Sequence, residues 1–269
     1  MPQPSEPRVS VLLPVCNAAS TLADALDSIG SQTLVDHELL VVLNGCTDGS
    51  VDVARSRAAT DGRLRLIELS RPGLVEALNC GLGIARAPLV ARIDADDRML
   101  ERRLELQCAA LREHLEWEAV ASQVRYVSRD SSTCADGMRK YVDWLNTLQT
   151  PEAIRQARFI DAPIAHPSVC FRRDSALALG GYRAGDFPED LELWLRMFEA
   201  GAVIGTVAQV LVDWCDSPQR LTRRDPRYGK AAHRALRHRY LLSGPLRGGR
   251  RCRIWGAGQF GRDHAPLSR

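Results

Sequence analysis

Asp94, Asp96 and Asp97 place three carboxylates within four positions, directly after the apolar run Leu89-Val90-Ala91-Arg92-Ile93. Carboxylates this close repel one another unless a cation or strong donors sit among them. On a strand, positions 94 and 96 point to the same face, so their oxygens can converge on one ion. Hard oxygen ligands suit Mg²⁺ or Mn²⁺, which bridge carboxylates to the phosphates of a substrate. The other reading is an acidic turn whose last Asp caps a helix beginning near Met99. A second acidic pair, Glu189-Asp190, follows Pro188 at the start of an apolar-periodic stretch. One of these carboxylates could serve as a general base, or both could simply complement a helix N-terminus.

The elements that must position these groups follow from periodicity. Short apolar runs at Val9–Leu13, Glu38–Leu43, Arg63–Leu69 and Leu89–Ile93 read as strands, the first ended by Pro14. Helical stripes lie between them, as in Leu22, Ala25, Leu26 and Ile29 closed by Gly30. Strand–helix alternation implies βαβ units and a mostly parallel sheet of the α/β class. Ligands bind such sheets at the carboxyl ends of the strands. Pro14–Asn17, Asn44–Asp48 and Asp94–Asp97 all fall at such ends. Further on, the pattern predicts a helix over Met99–Leu115, a strand over Ala119–Val127 and a polar loop over 128–137. Helix with a break near Pro151 follows over 141–159, then a short strand over Ser168–Phe171. Pro188–Ala200 reads as a helix with Leu191, Trp194, Leu195 and Phe198 on one face, Val203–Val212 as a strand and Arg227–Leu242 as a basic helix.

Composition narrows the function classes. With 45% hydrophobic and 26% charged residues, the chain falls among soluble globular proteins. No apolar run approaches the roughly 20 residues a bilayer span requires. The start, Met1 to Pro7, has no basic or apolar stretch, so it is read as a disordered leader without an export signal. Eight scattered cysteines lack any C-x-x-C pair, which suits free thiols in a reducing cytoplasm. Net charge is +3, but residues 220–253 carry twelve Arg or Lys against one acid, Asp225, which leaves about −8 on the remainder. This stretch is read as a solvated face or as a contact with anionic lipid, and not as a nucleic-acid site.

The motifs together resemble family 2 glycosyltransferases of the GT-A fold, over residues 8–225. The resemblance rests on Val9-Ser10-Val11-Leu12-Leu13-Pro14-Val15-Cys16-Asn17, Asn44-Gly45-Cys46-Thr47-Asp48-Gly49-Ser50 and Ala91-Arg92-Ile93-Asp94-Ala95-Asp96-Asp97. It continues in His166-Pro167-Ser168-Val169, Gly180-Gly181-Tyr182-Arg183 and Glu189-Asp190-Leu191-Glu192-Leu193-Trp194-Leu195-Arg196. It implies a cytoplasmic, inverting, metal-dependent transferase moving a sugar from a nucleotide-diphosphate donor to a glycan or lipid-linked hydroxyl acceptor, as in bacterial cell-envelope polysaccharide biosynthesis. Asp94 and Asp96 take the D-x-D metal positions for Mn²⁺ or Mg²⁺, Asp96 as the direct ligand, and Asp97 either assists them or caps the following helix, the cap being the preferred reading. Pro14, Asn17, Asn44 and Asp48 match the nucleotide-binding loops, although Asp48 equally suits capping of the helix from Val51. Asp190 matches the base, kept ionised by its helix N-terminus. Glu189, His166 and Trp194 fall on the acceptor side, although His166 equally suits satisfying the loop near Pro163 and Pro167, and Trp194 reads more as core than as a sugar platform.

Two departures stand out. The family commonly has an acid after the second strand that accepts the uracil N–H, whereas this chain has Leu43-Asn44. That counts against uridine and leaves thymidine and guanosine donors open. Cys215 stands where Arg is frequent, so Arg220, Arg223 or Arg224 would have to supply the charge. Both departures admit a catalytically degenerate nucleotide-sugar-binding protein as an alternative. A nucleotidyltransferase is a further one, although Pro14-Val15-Cys16-Asn17 lacks the glycine-rich basic loop of that class. Residues 226–269 are read as a basic helical extension ending in Gly256-Ala257-Gly258-Gln259-Phe260-Gly261, a G-x-G-x-x-G with too little chain after it to form a dinucleotide-binding unit.

Overall fold

Unbroken runs of buried side chains along Val9–Val15 and His37–Asn44 set the sheet at the centre of the chain. A computed structural model of the protein describes residues 6–129, 136–217, 220–248 and 250. Most of the leader, part of the 128–137 loop and the G-x-G-x-x-G lie outside the described residues. The elements are β1 (Val9–Val15), α1 (Leu22–Gly30), β2 (His37–Asn44), α2 (Ser50–Ala58), β3 (Leu64–Leu69), α3 (Leu74–Ile84) and β4 (Leu89–Arg92). After them come β5 (Arg98–Met99), α4 (Arg103–Glu113), β6 (Trp117–Ser128), α5 (Asp136–Leu145), α6 (Pro151–Ala157) and a 3-10 turn (His166–Ser168). The chain continues through β7 (Cys170–Arg172), α7 (Arg173–Ala178), α8 (Glu189–Glu199) and β8 (Val203–Asp216). It closes with α9 (Leu221–Arg224), a second 3-10 turn (Pro226–Tyr228) and α10 (Lys230–Ser243).

One sheet runs in the order β3-β2-β1-β4-β7-β6-β8-β5. The β1–β2, β2–β3, β1–β4 and β6–β8 pairs are parallel, as the alternation predicts. β7 runs antiparallel to β4 and β6, and β5 antiparallel to β8. Pro14 continues β1 instead of ending it. Leu12 O bonds to Ile93 N, so Pro14, two residues on, faces the same side. The β4 pairing has stopped by then at Leu12↔Arg92, so the missing proline N–H breaks no ladder bond. The helix expected from Met99 starts at Arg103, because Arg98 and Met99 are drawn into the sheet against Asp213 and Val212. The strand expected from Ser168 begins at Cys170, after the 3-10 turn.

Apolar clusters fill both faces of the sheet. A smaller one joins Leu236 and Tyr240 of α10 to Leu191 and Leu195 of α8 and to Ala162, so the chain beyond residue 225 packs onto the helix that carries the Glu189-Asp190 pair.

At the amino ends of the parallel strands a single buried carboxylate organises the sheet. Glu38 accepts from Ser10 Oγ and from Arg86 N, each at 2.6 Å, and pairs with Arg65 and Arg86 at 2.9 Å. These donors outweigh its burial and hold its pKa down at about 2. A depressed carboxylate adds stability above its ordinary value of 4.5 and loses it as pH falls toward 2. Glu38→Gln is therefore expected to cost about 2 kcal/mol in urea unfolding at pH 7, with the gap to the parent protein narrowing steadily below pH 4.5.

Candidate active site

The carboxyl ends of β1, β2 and β4 open on a cleft of about 1190 Å³. The loop after β1, Asn44 with Pro72–Leu74, and Arg92, Asp94 and Asp96 line it, as do His166, Pro188–Asp190, Arg220, Arg224 and Tyr228.

Carboxylate oxygens of Asp94, Asp96 and Asp97 lie within 4.8 Å of one another. Arg92, only 3% exposed, forms a two-pronged ion pair with Asp94. Asp97 does not cap α4, whose N-cap is Arg102. It is buried beneath the pair, where Oδ1 accepts the Cys215 N–H at 2.7 Å and Oδ2 has no partner. Burial, then Asp96 and Asp94, push its pKa well above the usual carboxylate range; burial and Asp94 raise Asp96. A buried, unpartnered carboxylate oxygen among two more carboxylates is an oxygen donor set that fits a hard divalent cation.

The donor-side residues divide. Asn17, at φ 50°, receives the Thr47 N–H on Oδ1 at 2.8 Å and so stitches the β1 loop to the β2 loop. Asp48 does not line the cleft: its carboxylate accepts from Ser50 N at 3.0 Å, Ser50 Oγ at 2.6 Å and Ala19 N at 3.0 Å, tying the loop to the start of α2. Asn44 lines the cleft; its Oδ1 takes the Gly73 N–H at 2.7 Å, and its amide nitrogen is the donor it can offer a ligand. Gly45, at φ 62°, sits where a Cβ would lie 2.6 Å from Pro72 N.

Across the cleft, α8 begins at Glu189 with Pro188 as its N-cap. Asp190 Oδ1 accepts the Leu191 N–H at 2.7 Å. The helix N-terminus does not keep Asp190 at an ordinary pKa: burial, followed by the charge of Glu189, raises it to about 7. Glu189 is buried, accepts the Tyr228 hydroxyl at 2.6 Å and lies 3.8 Å from His166 Nδ1. His166 lines the cleft, with Nε2 2.9 Å from the Tyr182 hydroxyl. Burial and then Arg92 hold its pKa well below the usual range, which keeps the ring neutral. Trp194 does not reach the acceptor side. It is fully buried and packs edge-on against His166 and Phe171 at 5.9 and 6.4 Å.

Of the three arginines offered as substitutes at the lid, Arg220 has the position. Its guanidinium lies 4.8 Å over the Trp214 ring, and its charge lowers the pKa of both Asp96 and Asp97. Arg223 is committed to Asp216, while Arg224 lines the cleft. Arg92 and Tyr228 escape sequence reasoning for different reasons. Arg92 left a signal, a charge inside an apolar strand. Tyr228 left none, because its place depends on how the chain folds back after β8.

A Rossmann-like sheet with carboxylates at its carboxyl edge and helices on both faces defines an α/β protein of the GT-A type. Residues 10–180 match the Glycosyl transferase family 2 profile, and the chain belongs to that family. It is 30% identical over 213 residues to the putative glycosyltransferase EpsE of Bacillus subtilis, spanning 73% of this chain and 69% of that one. It is 30% identical over 207 residues to the amylovoran biosynthesis glycosyltransferase AmsE of Erwinia amylovora, covering 76% and 74%. S. aureus TarS 1-349 in complex with UDP-GlcNAc shares the fold at a TM-score of 0.66 and 15% identity, over 89% of this chain and 68% of that one. The mannosyltransferase PcManGT of Pyrobaculum calidifontis, in complex with GDP-Man and Mn²⁺, does so at 0.62 and 23%, over 90% and 64%. The chain spans only 37% of the longer S. aureus TarS chain.

The placement separates core from site. Trp194→Leu should lower stability by about 3 kcal/mol in urea unfolding. Asp190→Asn at the cleft should stay within about 1 kcal/mol of the parent.

Proposed function

We propose that the protein is an inverting glycosyltransferase that moves a sugar from a nucleoside-diphosphate donor to a hydroxyl of a glycan or lipid-linked acceptor. One observation carries this reading: Asp94 and Asp96, two of a cluster of three carboxylates, line the same cleft as Asp190, a carboxylate raised to about 7. A single displacement needs one base, and a carboxylate with a pKa near neutrality is suited to take the acceptor proton as the anomeric carbon is attacked. Asp96, Asp94 and the free oxygen of Asp97 would hold Mn²⁺ or Mg²⁺. Bound there, the ion would neutralise the diphosphate leaving group. Arg220 adds positive charge close to Asp96 and Asp97, and Pro14, Asn17 and the Asn44 amide nitrogen, which line the cleft, would meet the nucleotide. His166 and Glu189 border the acceptor end. Asp48 and Trp194 do not line the cleft and are left out of this proposed set.

Family membership and the names of two relatives, in amylovoran and O-antigen biosynthesis, support a place in bacterial polysaccharide assembly. The described residues contain no helix long and apolar enough to cross a membrane. We place the enzyme in the cytoplasm, with residues 220–253 as a peripheral contact to the inner face of the membrane. Arg223, Arg227 and Arg237 already pair with Asp216, Asp225 and Asp161, which takes them out of that contact.

Product analysis tests the reading: nucleoside diphosphate with an inverted glycoside is expected, and released pyrophosphate would overturn it in favour of nucleotidyl transfer. Asp190→Asn should lower kcat by roughly 10²–10⁴-fold. Because the base must be deprotonated, kcat/KM should rise with pH through about 7. Nucleoside diphosphate with Mn²⁺ should raise the Tm, and both EDTA and Asp96→Asn should abolish that rise.

A further inference from the structure

Two tyrosines from the chain beyond β8 hydrogen-bond to two glutamates on the first turn of α8. Tyr228 donates to Glu189 at 2.6 Å, and Tyr240 donates to Glu192 at 2.8 Å. Glu192 is already paired with Arg196 at 2.6 Å and lies away from the cleft, so the Tyr240 bond fastens α10 to α8. The Tyr228 bond is different in kind. Both of its partners line the cleft, and Glu189 directly precedes Asp190. Glu189 is 3% exposed, and apart from its own backbone N–H the Tyr228 hydroxyl is its one hydrogen-bond donor among the described residues: His166 Nδ1 stands off at 3.8 Å. Tyr228 also lies outside the stretch, residues 10–180, that matches the family profile.

We propose that Tyr228 is a positioning residue of the transfer reaction: its hydroxyl holds Glu189 as a fixed carboxylate beside Asp190, so the chain after residue 225 completes the active site. The inference rests on Asp190 being the base. A buried carboxylate that keeps its charge needs a donor, and a phenol at 2.6 Å supplies one. Burial and Glu189 raise the Tyr228 pKa, so the phenol stays protonated and keeps donating. Two neighbouring carboxylates cannot both ionise freely, so a Glu189 held charged makes Asp190 the stronger base. The other groups facing the pair are Arg92 of β4, Asp94 at its end, Tyr182 before α8, Arg227 beside Tyr228 and Tyr141 of α5. None of them can replace the lost donor for Glu189: Arg92 is locked onto Asp94, Arg227 onto Asp225, and Tyr141 gives its hydroxyl to Ala162 O at 2.7 Å.

The sign follows. Without the phenol, Glu189 takes up a proton more readily, its charge on Asp190 is lost, and Asp190 becomes more acidic. In the kcat/KM profile, measured at saturating Mn²⁺, Tyr228→Phe should shift the acidic limb down by about one pH unit. Glu189→Gln, permanently uncharged, should shift it the same way, and the double variant should shift it no further. Tyr240→Phe should leave the limb in place while lowering the Tm. A Tyr228→Phe enzyme that loses activity equally at every pH, with the limb unmoved, would overturn the proposal, and so would a further shift in the double variant. Should Tyr228→Phe fold poorly, Glu189→Gln alone decides: an unmoved limb there removes the coupling to Asp190. Full activity in Asp190→Asn would instead overturn the base assignment, a separate result.

Discussion

The buried guanidinium of Arg92 is the interaction on which the site depends. Five carboxylates, on Asp94, Asp96, Asp97, Glu189 and Asp190, gather at one edge of the sheet, and four of them have raised or stressed proton affinities in so small a space. Arg92 grips Asp94 with two bonds and eases the charge of Asp96, Glu189 and Asp190. Burial, reinforced by the same positive charge, keeps His166 neutral. Holding such a cation in the interior needs a framework, and Arg103 provides it. Fully buried, it donates to Arg92 O at 2.8 Å and Val169 O at 3.1 Å, and to Gln107 Oε1 at 3.0 Å. Gln107 in turn donates to Ser168 O at 2.8 Å. The end of β4 and the His166 turn are thereby locked to one helix.

The acid cluster and the lid are coupled in the same way. Asp97 accepts the backbone N–H of Cys215, and Arg98 and Met99 pair with β8. Arg220, a few residues past the end of that strand, stacks on Trp214 and faces the acids. A chain that replaces the frequent Arg with Cys215 keeps positive charge over the carboxylates by reaching for it five residues later. The Cys215 position still contributes, through its backbone amide.

Much of the architecture was legible in the residues. The four apolar runs and the helices between them formed close to their expected bounds, because strand burial and helical stripes are properties of short segments. The misses have local causes that a longer-range contact overrode. Met99 looked helical by pattern, yet pairing with β8 took it into the sheet. Trp194, grouped with the acceptor side but read more as core from its apolar stripe, lies one helical turn beyond Asp190 and is fully buried. Asp48 stood at a strand end among site residues, and three nearby donors bound it into the loop.

Sequence by itself determined that carboxylates would emerge together where an apolar strand stops, since both the strand and the acidic turn are set by adjacent residues. It also determined that a second acidic pair would open a helix. Only the tertiary structure decided what each carboxylate does there. Asp97 was assigned a helix cap by its neighbours in the chain and is instead fixed by an amide 118 positions away. Glu189 takes its hydrogen bond from a residue 39 positions later, and Arg92 answers to both acidic groups at once. Proton affinity depends on what is near in space and how little water remains, and neither is written in local order.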